Sequence, residues 1–236
     1  MTDLFDGNAA DAPLAARMRP ETLDEFVGQK EITGKGSLLR RLIETDNISS
    51  FVFWGPPGCG KSTLAGIIAR STSAAFVSFS AVTGGVPELR KRMESAKDLR
   101  RYKACRTILF VDEIHRFNKA QQDALLPFVE DGTVILIGAT TENPYFEVNT
   151  PLLSRSRVVR FAPLSEDDIE AIVNRALSKS PGLKGFTLER EAMEHIKHIA
   201  AGDARAALNR LELCADLAEE DKTIPRALAE SAAGEK

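Results

Sequence analysis

"FVFWGPPGCGKSTLAGIIAR", residues 51–70, decides the fold. The apolar tetrad Phe51–Trp54 reads as a strand covered on both faces. A loop with three glycines and two prolines follows, and a helical pattern begins at Lys61, with Leu64, Ile67 and Ile68 at helix spacing. The loop Gly55-Pro56-Pro57-Gly58-Cys59-Gly60-Lys61-Ser62, with Thr63 after it, fits G-x-x-x-x-G-K-[ST] in full. Its glycines let successive backbone N–H groups converge on one point without Cβ clashes. The following helix aims its positive end at the same point. Lys61 adds a full charge and Ser62 a hydroxyl for Mg²⁺. Strand, loop and helix in this order make a cradle for a triphosphate, which a chance glycine turn would not.

Outward from this stretch, short apolar runs recur: "AAFVSF" (74–79), "TILFV" (107–111), "TVILIG" (133–138) and "RVVRF" (157–161). Helical patterns separate them, among them "KAQQDALLPFVED" (119–131). Strand alternating with helix predicts an α/β domain with a five-stranded parallel sheet. After Pro163 the sequence turns helical, in "LSEDDIEAIVNRALSK" and "EREAMEHIKHIAAGDARAALNRLELCADLAEE", with no strand signal of similar strength. The expected organisation is a flexible segment over 1–20, an α/β nucleotide-binding core over 21–162 and an all-helical lid over 163–236.

Two further strand ends carry chemistry. "ILFVDEIH" (108–115) ends a buried strand in Asp112 and Glu113, at the edge where α/β sheets bind ligands. Asp112 is suited to hold Mg²⁺ and Glu113 to polarise an attacking water. "LIGATTENP" (136–144) brings Thr140, Thr141 and Asn143 to the next such end, where they could orient water or phosphate or simply cap the strand. His195 and His198, three apart on a helical stretch, lack a third ligand and read as structural.

Composition bounds the rest. The 236 residues are 43% hydrophobic with a formal net charge of −3, so no global basic signature for nucleic acid exists. Three cysteines without a CxxC pair, no signal-peptide core and no membrane-length apolar window lead to the expectation of a cytoplasmic protein. One segment departs from the average: residues 88–106 hold eight Lys/Arg against three Asp/Glu. They could meet DNA phosphates, or be a solvated helix with i,i+4 charge pairs. "HRFNK" (115–119) could couple nucleotide state to a bound strand, or place Phe117 in the core and Asn118 at a helix cap.

"GPPGCGKST", "FVDEIHRF", "IGATTENP", "LLSRSR" and "GDARAALNRLE", in this order and spacing, resemble the AAA+ ATPases over about residues 17–225. "LAARMRPETLDEFVGQ", "FSAVTGGVPELR", "DEIHRFNKAQQDALLPFVEDG" and "ATTENPYFEVNTPLLSRSRV" resemble the replication-associated recombination protein A branch, related to the Werner-helicase-interacting protein. The resemblance implies ATP and Mg²⁺ as ligands and catalytic roles for Glu113, Thr141 (sensor 1), Arg155 (a finger reaching a neighbour's γ-phosphate) and Arg205 (sensor 2). It implies Arg19, Pro20, Val27 and Gly28 at the adenine pocket, beside Phe26. It further implies an ATPase acting on single-stranded, forked or gapped DNA in replication-fork maintenance, recombination and repair, in the nucleoid. Sliding clamp and single-strand-binding protein are the implied protein partners, and the Leu-Phe of "MTDLF" resembles clamp-docking peptides without their leading glutamine. Members of the branch continue into a helical assembly domain. That region is absent after "ALAESAAGEK", so self-association through the cores is expected to be weak. The alternative function is a nucleotide-gated, clamp-loader-like or recruitment module with little motor activity.

Overall fold

The computed structural model describes residues 12–81, 84–218 and 222–232. Strands β1 (Phe51–Trp54), β2 (Ala75–Ser80), β3 (Thr107–Asp112), β4 (Val134–Thr140) and β5 (Arg157–Arg160) form one sheet in the order β2-β3-β4-β1-β5, all parallel. Helices α1 (Leu14–Arg17), α2 (Lys30–Thr33) and α3 (Leu38–Glu44) precede β1. Between the strands run α4 (Lys61–Ser71), α5 (Val86–Lys103), α6 (Lys119–Glu130), α7 (Pro144–Glu147) and α8 (Thr150–Ser154). After β5 come α9 (Glu166–Lys179), α10 (Arg190–Ala200), α11 (Ala204–Leu217) and α12 (Arg226–Ser231).

The period of two along a strand divides the core. On β3, Ile108 and Phe110 pack with Leu39 and Ile43 of α3 and Leu64 and Ile68 of α4. Leu109 and Val111 face the other way, onto Leu89 and Met93 of α5 and Leu125 and Val129 of α6. A strand covered on both faces must be apolar at every position, which is why these strands read as unbroken runs. Phe117 is buried and Asn118 caps α6 in a capping box with Gln121, so "HRFNK" takes the structural option. Burial of each large side chain is worth roughly 1.5–3 kcal/mol.

The helices after residue 163 share a separate apolar cluster. It departs from the sequence expectation in three ways. The long helical stretch from residue 189 breaks at Ala201 and Gly202, both with positive φ, and Asp203 caps the next helix. Two two-residue strands, β6 (Thr187–Leu188) and β7 (Thr223–Ile224), pair in parallel, so the part expected to be all-helical carries a small ladder. The largest departure concerns the segment over 1–20, expected to be flexible. Residues 1–11, with "MTDLF", lie outside the described residues, as do Val82 and Thr83, but α1 is packed. Leu14 is fully buried in the lid cluster, with Ala15 and Met18 against it. One leucine in a run of alanines carries too little pattern to announce this from sequence.

Leu14→Ala should therefore lower unfolding free energy by about 2–4 kcal/mol, as core leucine truncations do. Urea denaturation checks this; a loss below about 0.5 kcal/mol, the scale of surface substitutions, would mean that α1 is not packed on the lid.

Candidate functional site

Because β1, β3 and β4 are parallel, their C-terminal ends meet at one edge of the sheet, and the Gly55 N–H bonds the Thr140 carbonyl there (3.1 Å). A cleft of about 380 Å³ opens between this edge and the lid. Of the residues singled out from sequence, Pro57 to Thr63, Asp112, Glu113, Thr141, Arg205, Arg19, Pro20 and Val27 line it.

Gly55, Pro56, Gly28 and Arg155 do not, nor do Thr140, which is buried, and Asn143, which caps α7. Gly55 and Pro56 lie behind the loop and offer their carbonyls to Lys61 Nζ (2.7 Å each), which is buried against them. Gly28, with φ +79, backs onto Leu164 and Asp168 of the lid. Arg155 stands away from the cleft of its own chain, pairing with Glu130 (2.6 Å) and donating to the Pro151 carbonyl (2.9 Å).

The phosphate loop is shaped by two close approaches. Gly58 has φ +64, and a Cβ there would overlap the Asp203 carboxylate. Gly60 has φ +102, and a Cβ would overlap the Phe26 ring. No other residue type fits either place without strain. The loop between them leads directly into the N-terminus of α4, the end of a helix that favours an anion.

Asp112 and Glu113 differ sharply in setting. Burial, with Glu113 beside it, pushes the Asp112 carboxyl above its ordinary range, although Lys61 and Arg205 pull the other way. Arg19 is pulled below its usual value by burial and by Arg205, while Asp112 raises it. Lys61, Arg19, Arg175 and Arg205 therefore share the cleft with the carboxylates of Asp112 and Glu113, and a polyanion would ease the repulsion among the cations. Glu113 adopts the left-handed conformation (φ 53, ψ 47), and its Oε2 lies 3.2 Å from His115 Nε2. His115 Nδ1 is 3.0 Å from Thr140 Oγ1, so an imidazole bridges the ends of β3 and β4. Asp112 and Ser62 are hard oxygen donors of the kind Mg²⁺ takes alongside phosphate oxygens.

Sequence reasoning missed part of the lining: Pro13, Ala15, Ala16 and Met18 around α1, Ile172 and Arg175 on α9, and Leu208 and Asn209 on α11. Leu208 and Asn209 follow Arg205 at i+3 and i+4, a spacing that could have placed them on its face.

Fold and cleft define a P-loop nucleotide-binding α/β protein with a helical lid. The ATPase family associated with various cellular activities (AAA) matches residues 51–165. Replication-associated recombination protein A of Escherichia coli (strain K12) is 51% identical over 92% of this chain. ATPase WRNIP1 of Dictyostelium discoideum is 39% identical over 93% of this chain and covers 25% of its own length. Among solved structures, the Thermotoga maritima RuvB Holliday junction branch migration motor aligns with a TM-score of 0.75 at 28% identity, covering 91% of this chain and 72% of that one. The chain belongs to the AAA+ ATPases, in the replication-associated recombination protein A family. It spans about half the length of the bacterial relatives (49% of the Escherichia coli protein). Among the described residues no helix is long and apolar enough to cross a membrane.

The raised Asp112 carboxyl has a thermodynamic sign. Its folded value lies above the unfolded one, so the native chain binds the proton more readily between the two. Stability then falls as pH rises through that window, and at neutral pH the ionised group costs stability. Asp112→Asn should raise the thermal midpoint of the unliganded protein at neutral pH and abolish the gain that Mg²⁺ adds to nucleotide binding. A lowered midpoint would contradict this setting for Asp112.

Proposed function

We propose that this chain binds ATP with Mg²⁺ in the cleft, hydrolyses it, and uses the cycle on DNA in replication-fork maintenance, recombination and repair. The observation that carries the reading is the convergence of Lys61, Asp112, Glu113, Thr141 and Arg205, from core and lid, on one cleft. The relatives' names, which speak of replication-associated recombination, supply the biological setting.

In this reading the loop N–H groups and Lys61 hold the β- and γ-phosphates, and Lys61 exchanges its two carbonyl partners for phosphate oxygens. Ser62 and Asp112 would hold Mg²⁺, which supplies positive charge at the phosphates. Glu113 accepts the proton of the attacking water, Thr141 orients that water, and Arg205 steadies charge on the γ-phosphate from the lid. Arg155, outside its own cleft, serves a neighbouring copy. Exposed Tyr145 and Phe146 on α7, just before α8, offer apolar surface for such a neighbour.

The basic segment 88–106 divides in two. Arg92 pairs with Glu88, Arg100 bonds the Asp131 carbonyl and Arg106 pairs with Asp46, so these three serve the fold. Arg90, Lys91, Lys97, Arg101 and Lys103 are exposed and form no ion pair among the described residues. They are the candidate DNA contacts of α5, with Arg101 lying over the exposed Tyr102 ring.

ATP turnover measured against protein concentration, with and without forked DNA, tests the reading. Turnover should rise with both. Glu113→Gln should bind ATP and turn over none. Arg155→Ala should lose the rise with concentration, a finger being worth about 10³–10⁵ in rate where one operates. Mixing the two variants should restore part of it. Lys91→Glu with Arg101→Glu should remove only the stimulation by DNA. Normal turnover by Glu113→Gln would sink the catalytic assignment; flat, slow turnover with ATP-dependent partner binding would favour a recruitment module.

A further inference from the structure

One face of α11 runs along the cleft. Arg205, Leu208 and Asn209 line it, and Glu212 follows at i+7 from Arg205 on the same face. At 1.5 Å per residue these positions span about 10 Å along the helix. Arg205 shares its end of the cleft with Asp112 and Arg19, which it affects electrostatically. Glu212 ends the row differently, on the chain's own α1. Its Oε1 accepts from the Leu14 N–H (2.8 Å) and from Arg17 Nη2 (3.0 Å), at the two ends of that helix.

α1 has four residues, far too few to hold a helical form unaided. Its shape depends on the buried Leu14 side chain and on this half-buried carboxylate. The residues it sets in place, Pro13, Ala15, Ala16 and Met18, are uncharged and border the cleft together with Phe26, Val27 and Leu208. Small and apolar side chains suit the flat face of a purine and offer nothing to a phosphate.

We infer that Glu212 is a positioning residue for the nucleotide's base: by gripping both ends of α1 it holds the apolar wall of residues 13–18 against the ring. This rests on the ATP reading above. The same helix then serves both ends of the nucleotide, through Arg205 at the phosphates and through Glu212 and α1 at the base. α1 belongs with the lid, so closure brings the base wall and Arg205 in together.

The test compares two ligands of the whole chain by calorimetry in Mg²⁺: ATP and inorganic tripolyphosphate, which carries the charge without the base. Charge-assisted hydrogen bonds of this kind support a change of about tenfold in affinity. Glu212→Ala should weaken ATP by about that factor and leave tripolyphosphate within about twofold. Glu212→Gln, whose amide oxygen still accepts from Leu14, should fall between wild type and Glu212→Ala. ATP binding by Glu212→Ala equal to wild type would overturn the inference, and so would equal weakening of both ligands, the mark of a merely structural residue. Should Glu212→Ala fail to fold, Arg17→Ala keeps the Leu14 bond and must show the same ATP-only weakening, smaller in size; unchanged binding overturns the inference equally. Wild-type chain that binds neither ligand would defeat the ATP reading and this inference with it, whereas wild-type binding beside an unaffected Glu212→Ala defeats the inference alone.

Discussion

The phosphate loop and the lid meet at a glycine, and the rest of the site depends on that contact. The Gly58 carbonyl accepts the Ala204 N–H (3.2 Å), and the Asp203 carboxylate fills the space a side chain at Gly58 would need. The same carboxylate caps α11 by accepting from the N–H groups of Arg205 and Ala206 (2.8 and 3.0 Å). One residue thereby fixes where the lid helix starts and where it touches the loop. Given that start, helical geometry dictates the remainder: Arg205 faces Asp112, Leu208 and Asn209 face the cleft, and Glu212 reaches α1.

The sheet supplies the opposing constraint. Parallel strands deliver their C-terminal ends to one edge, so a loop, the Asp112 carboxylate and the Thr141 hydroxyl, far apart in sequence, line one cleft. Desolvation and the neighbouring Glu113 raise the Asp112 carboxyl, while Lys61 and Arg205 pull it down. Glu113 is held by its turn and by His115, which is itself fixed on buried Thr140. Arg155 is directed away from this cleft by its pair with Glu130.

Much of this was legible in the sequence, for definable reasons. Strands buried on both faces must be apolar throughout, and the loop must be glycine-rich, so 51–63, 107–113 and 134–141 announce themselves. Asn118 announces a helix start because capping is local chemistry. What stayed hidden depends on contacts between distant segments. Leu14 among alanines has no pattern until the lid closes over it. Glu212 looks like any surface carboxylate until α1 arrives 198 residues away in sequence. Two-residue strands such as Thr187–Leu188 are shorter than any periodicity that could reveal them. The basic run over 88–106 was legible as charge, but its division between fold and free surface depends on where Glu88, Asp131 and Asp46 fall.

The proposed function requires core, lid and α1 to form a single nucleotide site. Amide hydrogen exchange with and without Mg²⁺ and ATP tests it most directly, because it reads all three segments at once. ATP should slow exchange together at 58–63, at 204–208 and at 14–18. Protection confined to the phosphate loop, with α11 and α1 exchanging as in the unliganded chain, would contradict it.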